Sequence, residues 1–255
     1  IQVMGSGPSG STYIDSYLYS GHTTFMTQQS RGGTFELIDT KIDTVDALMQ
    51  IKSGAANTGF SNLIVDGCEV NFSGTSARAK DGILTELIES DDAGNPGITT
   101  YTICDTAHEA EATSASVADS SATFKNGTYL GDIYNSIYNY RQKLNVTLEN
   151  ATLTGTVSAS QAVHVDMEGN VVPNGTVLNA FMGSEEYNHA NYAAEKGGFS
   201  GECKLIGHFR HTAAPMLNNF IDLTLVKSAW NITGEGWLNA LTVESLEDLA
   251  ADEPV

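Results

Sequence analysis

Four stretches of this chain share one spacing of apolar and small residues, and that spacing limits the folds available to it. Its form is apolar-x-apolar-x-x-small-x-apolar, where x is any residue. Residues two apart on a β-strand face the same side, so the first two apolar residues line one buried face. The step to a small residue is typical of a chain that turns a corner beside its core, after which a second strand begins. The copies are Phe35-Leu37-Thr40-Ile42, Leu63-Val65-Cys68-Val70, Val146-Leu148-Ala151-Leu153 and Leu223-Leu225-Ser228-Trp230, with a weaker one at Tyr13-Ser16-Leu18.

A unit that turns repeatedly and points its apolar residues inward is typical of a solenoid. Strand-forming residues alternate with polar ones along most of the chain. The chain has only 5 Pro, as expected when internal strands need every backbone N–H in a ladder. We therefore expect a single all-β domain over residues 1–255. Because the chain opens on strand-like residues without an initiator Met, we expect it to be part of a longer polypeptide.

Three segments depart from the repeat. Residues 109–122 are rich in Ala, Ser, Thr and acids, which favours an exposed loop. Between residues 158 and 218 the repeat disappears, which predicts an irregular insertion on the solenoid wall, a location often used for binding. Ser245 and Asp248 have the spacing of a capping box and predict a short helix near the end.

The charge of the chain is sparse and strongly acidic, with 12 Lys and Arg against 31 Asp and Glu and a formal net charge of −19. Nucleic acid and anionic lipid need clustered basic side chains, so both are excluded as partners. Cations, neutral sugars and basic protein surfaces fit better, although acidic charge also serves simply to keep a surface soluble. No apolar run is long enough to predict a membrane span.

The cysteines are few and widely spaced. Cys68, Cys104 and Cys203 form neither a disulfide framework nor a zinc signature. Cys68 occupies the small position of its repeat, so we expect it to fill the core at a corner.

A glycine motif near the start matches a dinucleotide-binding pattern. Gly5, Gly7 and Gly10 follow a short apolar stretch with the spacing G-x-G-x-x-G. The residues that follow are poor helix formers, and Gln28 and Gln29 stand where an acidic ribose ligand is expected. We interpret the motif as a turn between strands.

Two acidic pairs are candidates for chemistry. Asp91 and Asp92 follow a predicted strand and could bind calcium or simply end the ladder as turn residues. Glu185 and Glu186 lie beside Tyr187, His189 and Tyr192, a combination that suits a sugar-cleaving site or an ordinary polar loop. The polar loop is the interpretation favoured by the lack of a second positioned carboxylate.

Two further patterns carry weak signals. His208 and His211 could hold a metal if they lay on a helix, but their neighbours predict strand and loop. N-x-S/T triplets are glycosylation candidates in a eukaryotic secreted chain and chance products of turn composition otherwise; they begin at Asn71, Asn126, Asn145, Asn150, Asn174 and Asn231.

Three passages resemble the right-handed parallel β-helix regions of bacterial autotransporter and adhesin-like surface proteins. The most specific piece is the W-x-x-T-G-x-G/S-x-L-x-x-L element that starts at Trp230. The resemblance implies a single-stranded right-handed parallel β-helix (solenoid), interrupted around residues 158–218, in an extracellular or cell-surface protein. The passages are residues 82–92, 144–155 and 223–243.

The expected function is that of a non-catalytic scaffold with an adhesive, structural or assembly role. Its partner would be a protein or neutral glycan on a host, neighbouring-cell or matrix surface, with end-to-end self-association as a further expectation. The alternative is a carbohydrate-active β-helix enzyme, or a glycan-binding module, that acts on an extracellular polysaccharide. We assign no catalytic, cofactor-binding or metal-binding residue, and calcium is the only candidate cofactor.

Overall fold

The computed structural model describes residues 2–4, 10–20, 23–28, 31–53, 60–72, 79–89, 101–102, 118–137, 141–165, 169–173, 177–178, 209–217 and 219–244. Within these ranges the protein is all-β, and its regular elements are strands. Most of the strands pair in parallel.

Four parallel sheets contain most of the described strands. Sheet 1 has six strands in the order β1 (Gln2–Met4), β4 (Thr23–Gln28), β7 (Ala47–Ser53), β10 (Ile83–Glu89), β14 (Asp132–Asn135) and β17 (Val157–Ser158). Sheet 2 has seven in the order β2 (Ser11–Ile14), β5 (Arg31–Ile38), β8 (Phe60–Asp66), β12 (Ser120–Lys125), β15 (Leu144–Glu149), β21 (Ile221–Val226) and β23 (Ala240–Glu244).

Sheets 3 and 4 have three short strands each. Sheet 3 contains β3 (Tyr17–Ser20), β6 (Lys41–Thr44) and β9 (Glu69–Phe72), and sheet 4 contains β13 (Thr128–Leu130), β16 (Thr152–Gly155) and β22 (Ala229–Ile232). Two antiparallel pairs complete the described strands: β11 (Tyr101–Thr102) with β19 (Val177–Leu178), and β18 (Ser160–His164) with β20 (Phe209–Pro215).

The chain visits the parallel sheets in a fixed rotation. Strands β1, β2 and β3 enter sheets 1, 2 and 3 in turn, and the next six strands repeat that order twice. Later passages go through sheets 1, 2 and 4 in the same order, interrupted by the strands of the two antiparallel pairs, and β23 enters sheet 2 directly after β22. Each sheet therefore grows by one strand each time the chain returns to it.

The parallel register stacks the repeat residues on one another and forms the core. In sheet 2 one inward column runs through Phe35, Leu63, Ala122, Val146 and Leu223, and each of these side chains is at most 1% exposed. The adjacent column contains Leu37, Val65, Phe124, Leu148 and Leu225. Side chains in register bury one another without any strand having to supply a complete core alone.

A left-handed residue makes each corner between sheet 2 and sheets 3 and 4. It directly precedes the small residue of the repeat, and its φ lies between 46° and 62°. Asp, Asn and Gly tolerate this conformation better than other residues, which explains their presence at five of the corners. The six corner residues are Asp15, Asp39, Gly67, Asn126, Asn150 and Lys227.

Backbone hydrogen bonds continue through the corners. The N–H of Asp39 donates to the carbonyl of Asp66 at 2.9 Å, and the N–H of Asn150 donates to that of Val226 at 2.8 Å. The corner side chains also form a ladder, in which Asn150 Nδ2 donates to Asn126 Oδ1 at 2.8 Å. The turn thus leaves few backbone groups unpaired against the core.

Several sequence expectations are met in the described residues. All-β structure with mainly parallel strands agrees with the predicted fold class. Cys68 lies in the core at its corner and is 6% exposed, as expected, and burial raises the pKa of its thiol. In the described part of residues 158–218, β18 and β20 depart from the parallel order, because they form an antiparallel pair.

Two details of the sequence interpretation were wrong. Residues 120–122 belong to strand β12, not to an exposed loop, and Ser120 and Ala122 are fully buried. The chain also contains a sixth copy of the repeat, which the sequence did not predict, at Ala122-Phe124-Gly127-Tyr129. Its first apolar position holds only Ala, so its hydrophobic signal is weak beside the Ser- and Ala-rich stretch before it.

Candidate functional site

Most of the residues proposed from sequence for catalysis or metal binding lie outside the described residues. These are Asp91, Asp92, Glu185, Glu186, Tyr187, His189, Tyr192 and His208, together with the predicted capping helix at residues 245–249. The predictions made for them therefore stay predictions.

The glycine motif leads into a strand. Gly10 is directly followed by β2, whereas a dinucleotide site of this type requires a helix whose N-terminus faces the pyrophosphate. Gly10 has a packing role instead, because a Cβ there would lie 2.0 Å from the carbonyl oxygen of Thr34. The remaining glycines of the motif fall outside the described residues.

A buried polar network lies between sheet 1 and the β18–β20 pair, and it contains the one described histidine of the predicted pair. His211 Nε2 is 2.8 Å from Glu86 Oε2, and these side chains are 1% and 0% exposed. His211 Nδ1 is 2.8 Å from Ser136 Oγ. Gln50 Nε2 donates to the other oxygen of Glu86 at 2.7 Å. The imidazole also stacks on the ring of Tyr134 with a centroid distance of 3.9 Å.

The positions of these residues follow from the strands that carry them. Gln50, Glu86 and Tyr134 are register partners on β7, β10 and β14, so their side chains form a row on one face of sheet 1. That face points away from the column of Met49, Thr85 and Ile133. Strand β20 covers it and is held there by apolar contacts among Ile88, Ala162 and Phe209.

The hydrogen-bond directions locate two protons of this network, one on Ser136 and one on His211 Nδ1. Ser136 Oγ lies 2.5 Å from the carbonyl oxygen of Ser160, which only accepts, so the hydroxyl proton of Ser136 points at that carbonyl. Ser136 Oγ therefore accepts from a protonated Nδ1 of His211. A single proton then lies between His211 Nε2 and Glu86, either on an imidazolium facing a carboxylate or on a carboxylic acid facing a neutral imidazole.

This arrangement is structural in character, although serine, histidine and glutamate are the residue types of a hydrolytic triad. A nucleophilic serine needs access to substrate and a base that accepts its proton. Ser136 is fully buried, and its proton is donated to a backbone carbonyl. Both ring nitrogens of His211 are likewise engaged, so the side chain is not placed to bind a metal. The network joins β20 to sheet 1.

The outward face of sheet 3 is the clearest exposed arrangement of polar and aromatic groups among the described residues. Its two rows follow from the register of β3, β6 and β9. The rings of Tyr17 and Tyr19 are 60% and 69% exposed. We call this surface the tyrosine face; one row is Tyr17, Lys41 and Glu69, and the other is Tyr19, Asp43 and Asn71.

Hydrogen bonds join most of the tyrosine face into one network. Tyr17 Oη donates to Asp43 Oδ2 at 2.8 Å, and Asn71 Nδ2 donates to Asp43 Oδ1 at 3.1 Å. Glu69 Oε1 accepts from Asn71 Nδ2 at 2.8 Å and from Lys41 Nζ at 3.1 Å. The side chains are thereby held in place on short strands.

The same bonds shift the pKa values of the groups involved. The hydrogen bond between Tyr17 and Asp43 lowers the pKa of Asp43 and raises the pKa of the Tyr17 hydroxyl. The pKa of Glu69 is lowered first by the hydrogen bond from Asn71 and then by the hydrogen bond from the Lys41 ammonium. The same bond to Glu69 raises the pKa of Lys41. At neutral pH the face carries one cation and two carboxylates.

Five of the N-x-S/T asparagines lie in described residues, and most are engaged in ladder contacts. Asn126 Nδ2 donates to Asp66 Oδ1 at 2.7 Å, and Asn231 Nδ2 donates to Thr154 Oγ1 at 3.1 Å. Asn71 and Asn126 donate to residues of neighbouring strands, and Asn150 donates to the corner residue Asn126. Their placement is explained by the repeating corners and strands, whereas Asn174 lies outside the described residues.

Neither the buried network nor the tyrosine face could be predicted from local sequence patterns. His211 and Glu86 are far apart in sequence and meet only because β20 folds back over sheet 1. Tyr17, Asp43 and Glu69 belong to three successive passages of the chain, so only the register joins them. The alternation of exposed Tyr17 and Tyr19 around Leu18 was the one local signal of an outward aromatic pair.

Comparison with known proteins identifies no relative: no family model matches the chain, and neither the curated proteins nor the solved structures contain a match. Among the described residues, no three His, Cys, Asp or Glu side chains are grouped so that they could hold a metal ion. The described part of the chain also contains no helix of the length and apolarity needed to cross a membrane.

Proposed function

We propose that this chain is a right-handed parallel β-helix of a secreted or cell-surface bacterial protein, and that it acts as a non-catalytic adhesive scaffold. In this proposal one passage of the chain through sheets 1, 2 and 3, or 1, 2 and 4, is one coil of a solenoid. Coils stack along the axis and present their outward side chains to a host, neighbouring-cell or matrix surface.

The observation that carries the proposal is the fixed rotation of the chain through parallel sheets with repeat residues in register. Such stacking gives a long, regular wall of outward side chains that loops alone would not hold rigid. The buried polar groups also support a scaffold role, because Glu86, His211 and Ser136 join layers instead of facing solvent.

An adhesion assay tests this function. Beads coated with the purified chain are added to epithelial cells, bacterial cells and immobilised matrix glycoproteins, and retention under flow is measured. We expect retention on at least one surface, and we expect the surface glycans and proteins to be chemically unchanged afterwards, as shown by mass spectrometry. Absence of retention on all three surfaces contradicts the adhesive role, and released oligosaccharides or peptides contradict the non-catalytic one.

A glycan-binding module is the second candidate, and the tyrosine face is the observation that favours it. Exposed rings offer apolar faces for stacking, and the carboxylate and amide oxygens beside them can accept from sugar hydroxyls. Strands about 4.8 Å apart make the three-stranded face about 10 Å wide, which suits a short oligosaccharide. With two carboxylates against one ammonium, the face suits a neutral sugar better than an acidic one.

Substitution of the most exposed ring tests this second candidate. Tyr19→Ala removes a stacking surface and should weaken binding of a neutral oligosaccharide by about 3- to 10-fold. Thr12→Ala, an outward position on β2, is the matched control and should leave affinity unchanged. Binding is measured by glycan array and then by calorimetry on the best neutral glycan. Equal affinities of wild type and Tyr19→Ala would show that the sugar binds elsewhere.

A further inference from the structure

Large apolar side chains are exposed at both ends of the stack of strands. In the last passage Ile232, Trp237, Leu241 and Val243 are 63%, 45%, 53% and 52% exposed. At the other end, Tyr13 of β2 occupies an inward position and is only partly buried against the core. Exposed apolar groups that lie together on a surface indicate contact with another molecule.

Leu241 and Val243 are exposed because they are the last members of the core columns. They are the register partners of Leu223 and Leu225, which are 1% and 8% exposed. One more strand in register on β23 would bury Leu241 and Val243 as β23 itself buries Leu223 and Leu225. The end of the described stack is therefore an open core.

The strand edges at the two ends are complementary in direction. Within sheet 2, β23 pairs with β21 and β2 pairs with β5, so each has one edge that faces away from the sheet. All strands of this sheet are parallel, and a copy placed head to tail brings its β2 to β23 in the same direction. Ser11 and Tyr13 would then lie beside Leu241 and Val243, as they lie beside Phe35 and Leu37 within the chain.

We infer that the end formed by β22, β23 and Trp237 binds the first coil, β1 to β3, of a second copy of this chain. The new contact continues the ladder that already joins successive coils, and it buries the apolar groups of both ends. It uses different surfaces on the two copies, so it is heterologous and produces open linear assemblies in place of a closed dimer. The inference rests on the proposed β-helix.

Net charge opposes this association and gives it a signature. Each chain carries a formal net charge of −19, so two copies repel one another at low ionic strength. Salt screens the repulsion over about 10 Å at 0.1 M, while apolar burial persists. Association should therefore strengthen as salt is added.

Sedimentation velocity over a wide concentration range, at low and high salt, tests the inference. Wild type should form dimers and longer oligomers at high salt. Leu241→Lys places a charge in the open column and should weaken association by about 10-fold or more. Thr242→Lys, on the same strand but facing outward, is the matched control and should associate like wild type. Wild type that stays monomeric throughout, as it would if residues 245–255 cover this end, overturns the inference.

A mixing experiment then tests the head-to-tail geometry. Leu241→Lys blocks one end and Ser11→Lys blocks the other, so each variant alone should be monomeric. An equimolar mixture should form one-to-one dimers and nothing longer, since each pair retains a single functional interface. Ser11→Lys that dimerises alone would show a twofold contact between identical ends and would overturn the assignment. Thermal melts verify that every variant is folded. Distances between spin labels on introduced cysteines along sheet 2 report the stacking within one chain, so they separate failure of this inference from failure of the β-helix proposal.

Discussion

At the scale of single residues, polar side chains determine how the layers of this protein are joined. Glu86 and His211 are as buried as the leucines of the core, yet they share a hydrogen bond and contact Gln50 and Ser136. A buried pair of ionisable side chains is weak evidence for stability by itself, because desolvation offsets the attraction between them. Loss of one partner is costly, however, since the other keeps its desolvation penalty.

His211→Phe tests this role while keeping a ring against Tyr134. The variant removes both imidazole hydrogen bonds, so we expect a loss of about 3 kcal/mol or more in the free energy of unfolding. Arg210→Ala, on the exposed side of the same strand, should change it by less than about 1 kcal/mol. Urea unfolding measures both. The double variant His211→Phe, Glu86→Leu should recover much of the loss. If the double variant instead loses as much as His211→Phe and Glu86→Leu lose separately when added together, these side chains are not coupled.

The tyrosine face should respond to acid through Asp43. Its pKa is lowered first by the bond from Tyr17 and then by that from Asn71. A carboxyl whose folded pKa is lowered stabilises the fold above its unfolded pKa, and this contribution is lost as pH falls through the folded value. Tyr17→Phe should raise the pKa of Asp43 toward its ordinary value, as followed by NMR titration of the carboxyl carbon. An unchanged pKa would mean that the hydroxyl does not bond to Asp43 in solution.

At the scale of elements, the corners explain why much of the strand pattern could be predicted and why some of it could not. Phe35, Leu37, Thr40 and Ile42 mark two strands and a turn by side-chain type alone, because burial requires them at fixed spacing. The left-handed residue that makes the corner varies among Asp, Asn, Gly and Lys, so its identity is a weaker signal. The copy with Ala122 and Gly127 carried too little hydrophobic signal to be seen.

The layer made by β18 and β20 could not be predicted in this way. Its strands pair antiparallel and pack through a histidine and a glutamate that are distant in sequence. Neither residue has a local pattern that indicates a partner, because the pairing depends on where a long connection returns. The tyrosine face depends on register in the same manner, which requires three passages to be aligned.

Lys227 is the corner residue least suited to its conformation, with a φ of 49°. Asn tolerates a left-handed backbone better, and at this position its amide would lie next to Asn150 in the corner ladder. Lys227→Asn should therefore raise the free energy of unfolding by about 0.5 to 1 kcal/mol. Lys227→Ala is the control, because it removes the lysine without a gain in left-handed tolerance. Equal urea midpoints for the two variants would contradict this explanation.

At the scale of the whole molecule, stacking in register relates position along the chain to position in space. The outward column of sheet 2 runs through Thr12, Glu36, Ile64, Thr123, Thr147, Thr224 and Thr242. Parallel strands lie about 4.8 Å apart, so distances along this column depend on the number of strands between two residues. The number of residues between two positions does not affect their distance along the column, even across residues 158–218.

Distances between spin labels on this column test the stacked β-helix most directly. Labels are attached to cysteines introduced at Thr12 and at Thr147, Thr224 or Thr242, after Cys68, Cys104 and Cys203 have been replaced. Double electron–electron resonance should give distances that increase in nearly equal steps of about 5 Å, from about 19 Å to about 24 Å and about 29 Å. The step from Thr147 to Thr224 should be no larger than the next one. Broad distributions, or a large jump at Thr224, would contradict the stacking on which the proposed scaffold depends.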